Sequence, residues 1–349
     1  MNGTSTLMKE NPGPHAAMDS YQIDAPPPDV TFVVIGYNEG TTLRASLESV
    51  SAASLGGRSG ELLYVDAGSN DDSMAIARSV DGAEVLGGER RRRAAECRNL
   101  GLEAARGAFV QFVDGDMALA SDWPERALEL LEEREDVAAV CGNLNEASDS
   151  LLFQALQIDW APREGEIRHC GGAAMYRRAV LEQAGGFPED VCYGEEPYLC
   201  WRIRNELRMK IYQLNIRMAD HDLGFRGAAD YWRRGVRCGA TYAEIASRCR
   251  NTGDPLWCRE FLANLLWAGA FAAFLCVLAF GPNPLRAAAA LLACAILVRK
   301  TVQTLKRGYS FPVAAIYALH TYFCKVPIAL GELKWLLRGA RGNRAERAS

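Results

Sequence analysis

The first half of the chain alternates short apolar runs with helical periodicity, and long uncharged stretches fill its last third. Residues 31–36 (TFVVIG) form a β-branched run after the Pro26-Pro27-Pro28 break and predict a buried strand. A helical stretch follows, with Leu43, Leu47 and Val50 on one face. Residues 61–65 (ELLYV) predict a second strand, running into Asp66-Ala67-Gly68-Ser69-Asn70-Asp71-Asp72, a composition suited to a turn and a helix cap. A third short strand is expected near 83–86. A helix carrying Arg98-Asn99 runs to about Arg106, where Gly107 closes it. Residues 109–113 give a fourth strand and 211–214 a later one. Strands and helices alternate, with polar residues where strands end. That predicts an α/β fold with an open, mostly parallel, Rossmann-like sheet. Ligands of such sheets bind beyond the carboxyl ends of the strands.

After about residue 255 the pattern changes. Residues 261–280 carry no charge, and Asn264 is their only strongly polar side chain, which suits a membrane span. Gly281-Pro282-Asn283-Pro284 is a tight break. Residues 285–298 are apolar apart from Arg286. Residues 311–330 are apolar but contain His320, Lys325, Pro312 and Pro327. Arg233, Arg234, Arg237, Arg248, Arg250 and Arg259 precede the first segment; Arg299, Lys300, Lys306 and Arg307 follow the second. The positive-inside rule puts both flanks in the cytosol and the Gly-Pro-Asn-Pro turn outside. A third full span would place Lys334, Arg338, Arg341, Arg344 and Arg347 outside. The expectation is two spans followed by a re-entrant or interfacial segment, with a third span as the alternative. The chain thus divides into a disordered tail over 1–28, without the apolar core of a signal peptide, a folded unit over 29–255, membrane-associated helices over 256–338 and a basic tail over 339–349. A bacterial-type inner membrane with the folded unit facing the cytosol is the expected location.

Net charge is −4 over 349 residues, so no global basic field points to nucleic acid. Eleven cysteines show no Cys-x-x-Cys and no zinc-type spacing, and predict reduced thiols in a cytosol-facing protein.

The chemistry concentrates in Gln-Phe-Val-Asp-Gly-Asp at 111–116. Asp114 and Asp116, one residue apart at a strand's end, can face one divalent ion together with the phosphates of a nucleotide, although the same tripeptide is a common turn. VVIGYNEG at 33–40, YVDAGSNDD at 64–72, CRNLGLEAARG at 97–107 and FVDGD at 112–116 resemble the nucleotide-binding half of family 2 glycosyltransferases. GGAAMYRRAVLEQAGGFPED at 171–190 looks like that family's segment lining donor and acceptor sites, and GEEPYLCWRIR at 194–204 like its catalytic-base helix. The resemblance spans roughly 30–250. It implies the GT-A nucleotide-diphospho-sugar transferase fold, an inverting mechanism, a Mn²⁺ or Mg²⁺ cofactor, a UDP-type sugar donor and a lipid-linked or saccharide acceptor. Where the family often has two acids this chain has Asp66-Ala67, and the usual Glu-Asp pair is Glu195-Glu196. Tyr231-Trp232-Arg233-Arg234 places its tryptophan ahead of the arginines, unlike the signature of membrane-bound relatives.

On this reading Gly36, Tyr37 and Glu39 contact base and ribose; Glu39 is otherwise a solvated loop acid. Asp66 accepts from a uracil N–H or caps a helix. The resemblance implies that Asp114 contacts ribose and Asp116 ligates the metal, with Asp114 a second ligand, and that Arg98 and Gly172 belong to the donor site. Glu196 is the expected general base, with Glu195 beside it raising its pKa; acids at a helix start also suit the helix dipole. His221 is a metal ligand, a diphosphate contact or a structural histidine. Arg233 and Arg234, with Trp232 at the acceptor, close over the diphosphate, or line a basic membrane-facing helix. The run Arg90-Arg91-Arg92-Arg93 reads as a solvated or headgroup face.

Three rivals are weighed. A sugar nucleotidyltransferase needs a Gly-rich, Arg-containing loop where this chain has Gly36-Tyr37-Asn38-Glu39-Gly40. A dinucleotide oxidoreductase needs Gly-x-Gly-x-x-Gly there. A membrane-anchored, inactive binding subunit would not need Asp116 and the Glu195-Glu196 pair.

Overall fold

The computed structural model describes residues 26–146, 150–160, 163–191, 194–221 and 227–346. Most of the tail expected over 1–28 therefore lies outside the described residues, as does the end of the basic tail. The elements run β1 (Val30–Gly36), α1 (Leu43–Ser51), β2 (Gly60–Asp66), α2 (Ser73–Arg78), β3 (Ala83–Gly87), α3 (Ala94–Ala104), β4 (Phe109–Asp114), β5 (Met117–Leu119), α4 (Trp123–Glu133), β6 (Val137–Glu146), α5 (Leu151–Gln157), β7 (Gly165–Ile167), β8 (Ala174–Arg177), α6 (Arg178–Gln183), α7 (Glu195–Glu206) and β9 (Lys210–His221). Helices α8 (Ala228–Cys249), α9 (Cys258–Phe280), α10 (Asn283–Leu305), α11 (Phe311–Phe323) and α12 (Lys325–Glu346) complete the chain.

One sheet organises the first 221 residues, in the order β3-β2-β1-β4-β8-β6-β9-β5, with β7 also on β9. The first four strands are parallel. β1 is buried along its whole length, as a β-branched strand covered on both faces must be. Leu43, Leu47 and Val50 of α1 face the core, as their spacing predicts. Deep in the centre, the Trp123 indole donates to Gln111 Oε1 at 2.9 Å, so the one amide inside β4 is satisfied.

The carboxyl ends of β1, β2 and β4 are tied to each other. Asn38 adopts φ +57°, and its side-chain oxygen accepts from Asn70 N–H at 2.9 Å. Glu39 N–H donates to Ser73 Oγ and Gly40 N–H to Asp71 Oδ2. The YNEG and GSNDDS stretches are thus one interlocked double loop at the sheet's ligand edge.

β9 is longer than the four residues its sequence suggested: it continues to His221 because it forms a parallel ladder with the whole of β6 and an antiparallel one with β5. The second pairing sets Met117 opposite His221.

The C-terminal helices are built around close contacts and one polar cluster. Gly235 and Gly239 of α8 meet α12 at Pro327 and Ile328, and a Cβ on Gly239 would collide with the Ile328 carbonyl oxygen. Gly331 has the same relation to the Val236 carbonyl. Asn264 of α9 donates to Glu332 Oε1 at 2.8 Å and accepts from Lys325 Nζ at 2.9 Å, so buried polar groups lock α9 to α12. Gly239→Val should loosen α12 by roughly 1–3 kcal/mol, since backbone has to move to admit the side chain. Faster amide exchange over α12, with the sheet unchanged, is the expected reading.

Cys258–Phe280 and Phe311–Arg338 are long and apolar enough to cross a membrane by length and composition. They differ in cover: 6% of the first apolar window is buried and 33% of the second. The second packs on the folded unit, where Ala155 and Ile158 meet Val313 and Tyr317. α10, expected to be the second span, carries that segment on through Arg299 and Lys300 to Leu305 and is not among the helices apolar enough to cross; the third segment is.

Candidate active site

A cleft of about 420 Å³ opens at the carboxyl edge of the parallel strands. It is lined by Gly36, Tyr37 and Glu39 from the β1 loop, Asp114 and Asp116 after β4, Arg98 from α3, and Glu195 and Glu196 at the start of α7. Eight residues selected from sequence thus meet in one place. A second cavity of about 700 Å³ holds Glu196, His221 and Arg234, with Asp159, Arg163 and Gln213. Glu196 lines both.

Arg98 is the electrostatic centre. It is 3% exposed. Its Nη2 lies 3.0 Å from Asp114 Oδ1, and its Nη1 3.2 Å from Glu195 Oε1 and 3.0 Å from Glu196 Oε1. Gly172 explains itself here: any side chain would collide with the Arg98 guanidinium, so this glycine makes room for the arginine. Gly194 starts α7 at φ +87°, and a Cβ there would press on Thr241 of α8.

Burial pushes the Glu196 carboxyl up to about 7; the Arg98 charge pulls against that and the Glu195 carboxylate adds to it. Glu39 is also raised, first by burial and then by Asp116. Two acids that repel across a cleft are the setting in which a bound cation is favourable. Asp116 Oδ2 lies 3.7 Å from His221 Nε2, a carboxylate and an imidazole side by side, brought there by the β5–β9 pairing. No group of three or more His, Cys, Asp or Glu clusters as a metal cage among the described residues. The donor set fits an open site that leaves positions for a substrate, and its O/N chemistry suits Mn²⁺ or Mg²⁺.

Several expected roles shift. Asp66 is buried and accepts from Tyr64 hydroxyl at 3.1 Å and from the Gly68 and Ser69 amides at 2.8 and 2.7 Å. Its place is behind the cleft, holding the loop; Ala67 is the residue that reaches the wall. Arg98 acts on the carboxylates that surround it. Arg233 pairs with Asp230 at 2.7 Å on the exposed side of α8, and Trp232 packs against Phe323, so neither lines either cavity. Arg91, Arg92 and Arg93, read from sequence as a solvated face, line the cleft. Arg91 stacks on the Tyr37 ring, 3.4 Å from its centre. Their position just past β3 was the available signal, because that edge of the sheet is where ligands bind.

Arg98→Met should lower turnover by about 10²-fold, with Arg98→Lys recovering part of it. Arg98 depresses the Glu196 pKa, so its loss should also move the acid limb of the pH profile upward. A drop in turnover with an unmoved limb would reduce Arg98 to a packing role.

Residues 31–185 match the family model described as glycosyl transferase family 2. Through this segment the chain is similar to glycosyl transferase family 2. The chain is 31% identical over 181 residues to "Glycosyltransferase AglE" of Haloferax volcanii, covering 48% of this chain and 58% of that protein. It is 29% identical over 169 residues to "Putative glycosyltransferase EpsH" of Bacillus subtilis, covering 44% and 48%. It thus spans about half the length of these curated relatives. Among solved structures, a mannosyltransferase from Pyrobaculum calidifontis, in complex with GDP-Man and Mn²⁺, superposes with a TM-score of 0.61 at 22% identity, covering 85% of this chain and 87% of that one. The fold is the GT-A type that the sequence pattern resembled.

Proposed function

We propose that the chain is an inverting glycosyltransferase that moves a sugar from a nucleoside-diphospho-sugar, UDP-linked by preference, to an acceptor hydroxyl in cell-surface polysaccharide or glycoconjugate synthesis. The observation that carries this is the place of Glu196, in the wall shared by the acidic, arginine-lined cleft and the second cavity. A donor in the cleft and an acceptor in the second cavity would meet at that carboxylate. The curated relatives named as glycosyltransferases, and structural neighbours holding GDP-Man with Mn²⁺ or UDP, support the donor class.

Glu196 in its ionised form takes the acceptor proton. The acceptor oxygen attacks the anomeric carbon from the face opposite the diphosphate, and the anomeric C–O bond to phosphate breaks with inversion. Arg98 holds Asp114 and the Glu pair in register, and Tyr37 and Glu39 bound the nucleoside end. Asp116 and His221 would hold Mn²⁺ or Mg²⁺, which neutralises charge developing on the departing diphosphate.

On this reading the catalytic unit works at the cytosolic face of an inner-type membrane. The exposed apolar surface of α9, with Leu266 and Phe280 74% and 86% exposed, supports this, as do the arginines that flank it. The packing of α11 on the folded unit supports an interfacial course for the third apolar segment. Incubation of the full chain with a panel of nucleoside-diphospho-sugars and Mn²⁺ tests the reading. Release of one nucleoside diphosphate, abolished by Asp116→Ala, is expected; no turnover or donor binding across the panel would sink it.

A further inference from the structure

Beside the second cavity lies an apolar groove of about 500 Å³ between α5, the start of α8 and α11. Leu152, Phe153, Ile316, Leu319 and Phe323 line it, with Tyr231 at its wall. Leu319 and Phe323 are 57% and 47% exposed. The Tyr231 hydroxyl lies 2.7 Å from His320 Nδ1, so these two polar groups face each other.

The groove and the second cavity are joined by the elements that form them. On α8, Tyr231 lines the groove and Arg234, one turn on, lines the cavity. The segment from α5 carries Phe153 to the groove and Asp159 to the cavity. Asp159 accepts from the Tyr317 hydroxyl at 2.5 Å, and Ile316 beside it lines the groove. Glu196 and Arg234 therefore line one cavity, and the apolar groove begins one helical turn from Arg234. The groove is walled by part of a helix apolar enough to sit in a bilayer.

We infer that this groove holds the hydrocarbon tail of an amphiphilic acceptor, whose anionic linkage sits at Arg234 and whose sugar hydroxyl reaches Glu196. This rests on the glycosyltransferase reading and selects, between a lipid-linked and a free saccharide acceptor, the lipid-linked one. A free saccharide would leave the groove without an occupant. A tail buries apolar surface there, and a guanidinium one turn away matches a phosphate. Arg163 and Arg168 line the same cavity with Asp159 and Glu166, so the wall is mixed in sign and Arg234 is its cation nearest the groove.

The test uses the full chain in lipid nanodiscs and a diazirine-bearing dodecyl phosphate as probe. Photolabelling should fall on peptides containing residues 150–153 and 316–323. Leu319→Trp, which fills the groove, should cut that labelling at least fivefold, and Leu152→Gln should weaken it in a second, milder way. Arg234→Gln should lower the probe's apparent affinity about tenfold. Millimolar inorganic phosphate should not compete, since it lacks the tail. UDP–Mn²⁺ binding by the Leu319 and Leu152 variants, and an unchanged circular dichroism spectrum and melting temperature for Arg234→Gln, confirm that the fold survives. Labelling confined to α9 and α10, or groove labelling indifferent to Leu319→Trp, would overturn the inference. Donor turnover is read separately: if it persists while groove labelling fails, only the lipid acceptor falls; if it is absent, the transferase reading falls with it.

Discussion

Glu196→Gln should lower turnover by about 10²–10⁴-fold while leaving donor binding nearly unchanged. The amide keeps the shape and the contact with Arg98 but cannot take a proton. Its neighbour separates the roles. Glu195 lines the first cleft alone, whereas Glu196 also faces the second cavity, so on the proposed reading only Glu196 would reach both substrates. The pH profile gives an independent reading. Burial first, and Glu195 after it, hold the Glu196 carboxyl up at about 7 against the pull of Arg98. The base works deprotonated. Turnover over acceptor KM should therefore fall tenfold per unit below about pH 7 and level off above it. Glu196→Gln should erase that limb. If Glu195→Gln erases it and Glu196→Gln does not, the base is one residue earlier in the chain.

The sequence was most informative where local pattern and tertiary cover agree. The runs at 31–36, 61–65 and 109–113 are short, apolar and bounded by polar turns, and they form β1, β2 and β4 to within a residue or two. Glu195 and Glu196 do open α7 behind Gly194. What pattern alone could not show was which side chains meet across the sheet. Asp66 looks like a ligand because it ends a strand, but a strand-end carboxylate can serve its own loop, and here three donors hold it there. Arg98, expected at the donor site, does line the cleft, but its three carboxylate partners, the farthest nearly a hundred positions away in sequence, are visible only in the fold. The arginines at 91–93 are solvated, as a charge run predicts, with Arg91 and Arg93 exposed, but the water they face is that of the cleft. A charge run marks a solvated face, and the turn after β3 sets this one along the open cleft. His221 depended on the β5–β9 register, which no local periodicity encodes.

Asp116→Asn should cost about 10²-fold or more in turnover, and EDTA should abolish transfer in the unmodified chain. The argument is electrostatic. Sugar transfer adds a third negative charge to a diphosphate that already carries two, and this cleft already contains Glu39, Asp114, Asp116, Glu195 and Glu196. Arg98 is engaged with three of these acids, and the remaining pair, Glu39 and Asp116, repel one another enough to contribute to the raised Glu39 pKa. A diphosphate entering beside Asp116 without a cation would meet like charge at the point where more is about to develop. Mn²⁺ held by Asp116 and His221, as proposed, would reverse that sign. The choice of ions follows from the donors: an imidazole beside a carboxylate favours Mn²⁺ over Mg²⁺ more than two carboxylates would. His221→Ala should then weaken Mn²⁺ binding about tenfold and narrow its advantage over Mg²⁺. Electron paramagnetic resonance titration of Mn²⁺ in the presence of UDP reads this without relying on catalysis. Full activity in EDTA, or Mn²⁺ affinity unaffected by either substitution, would remove the cation from Asp116 and leave Arg91–Arg93 as the groups that meet the diphosphate.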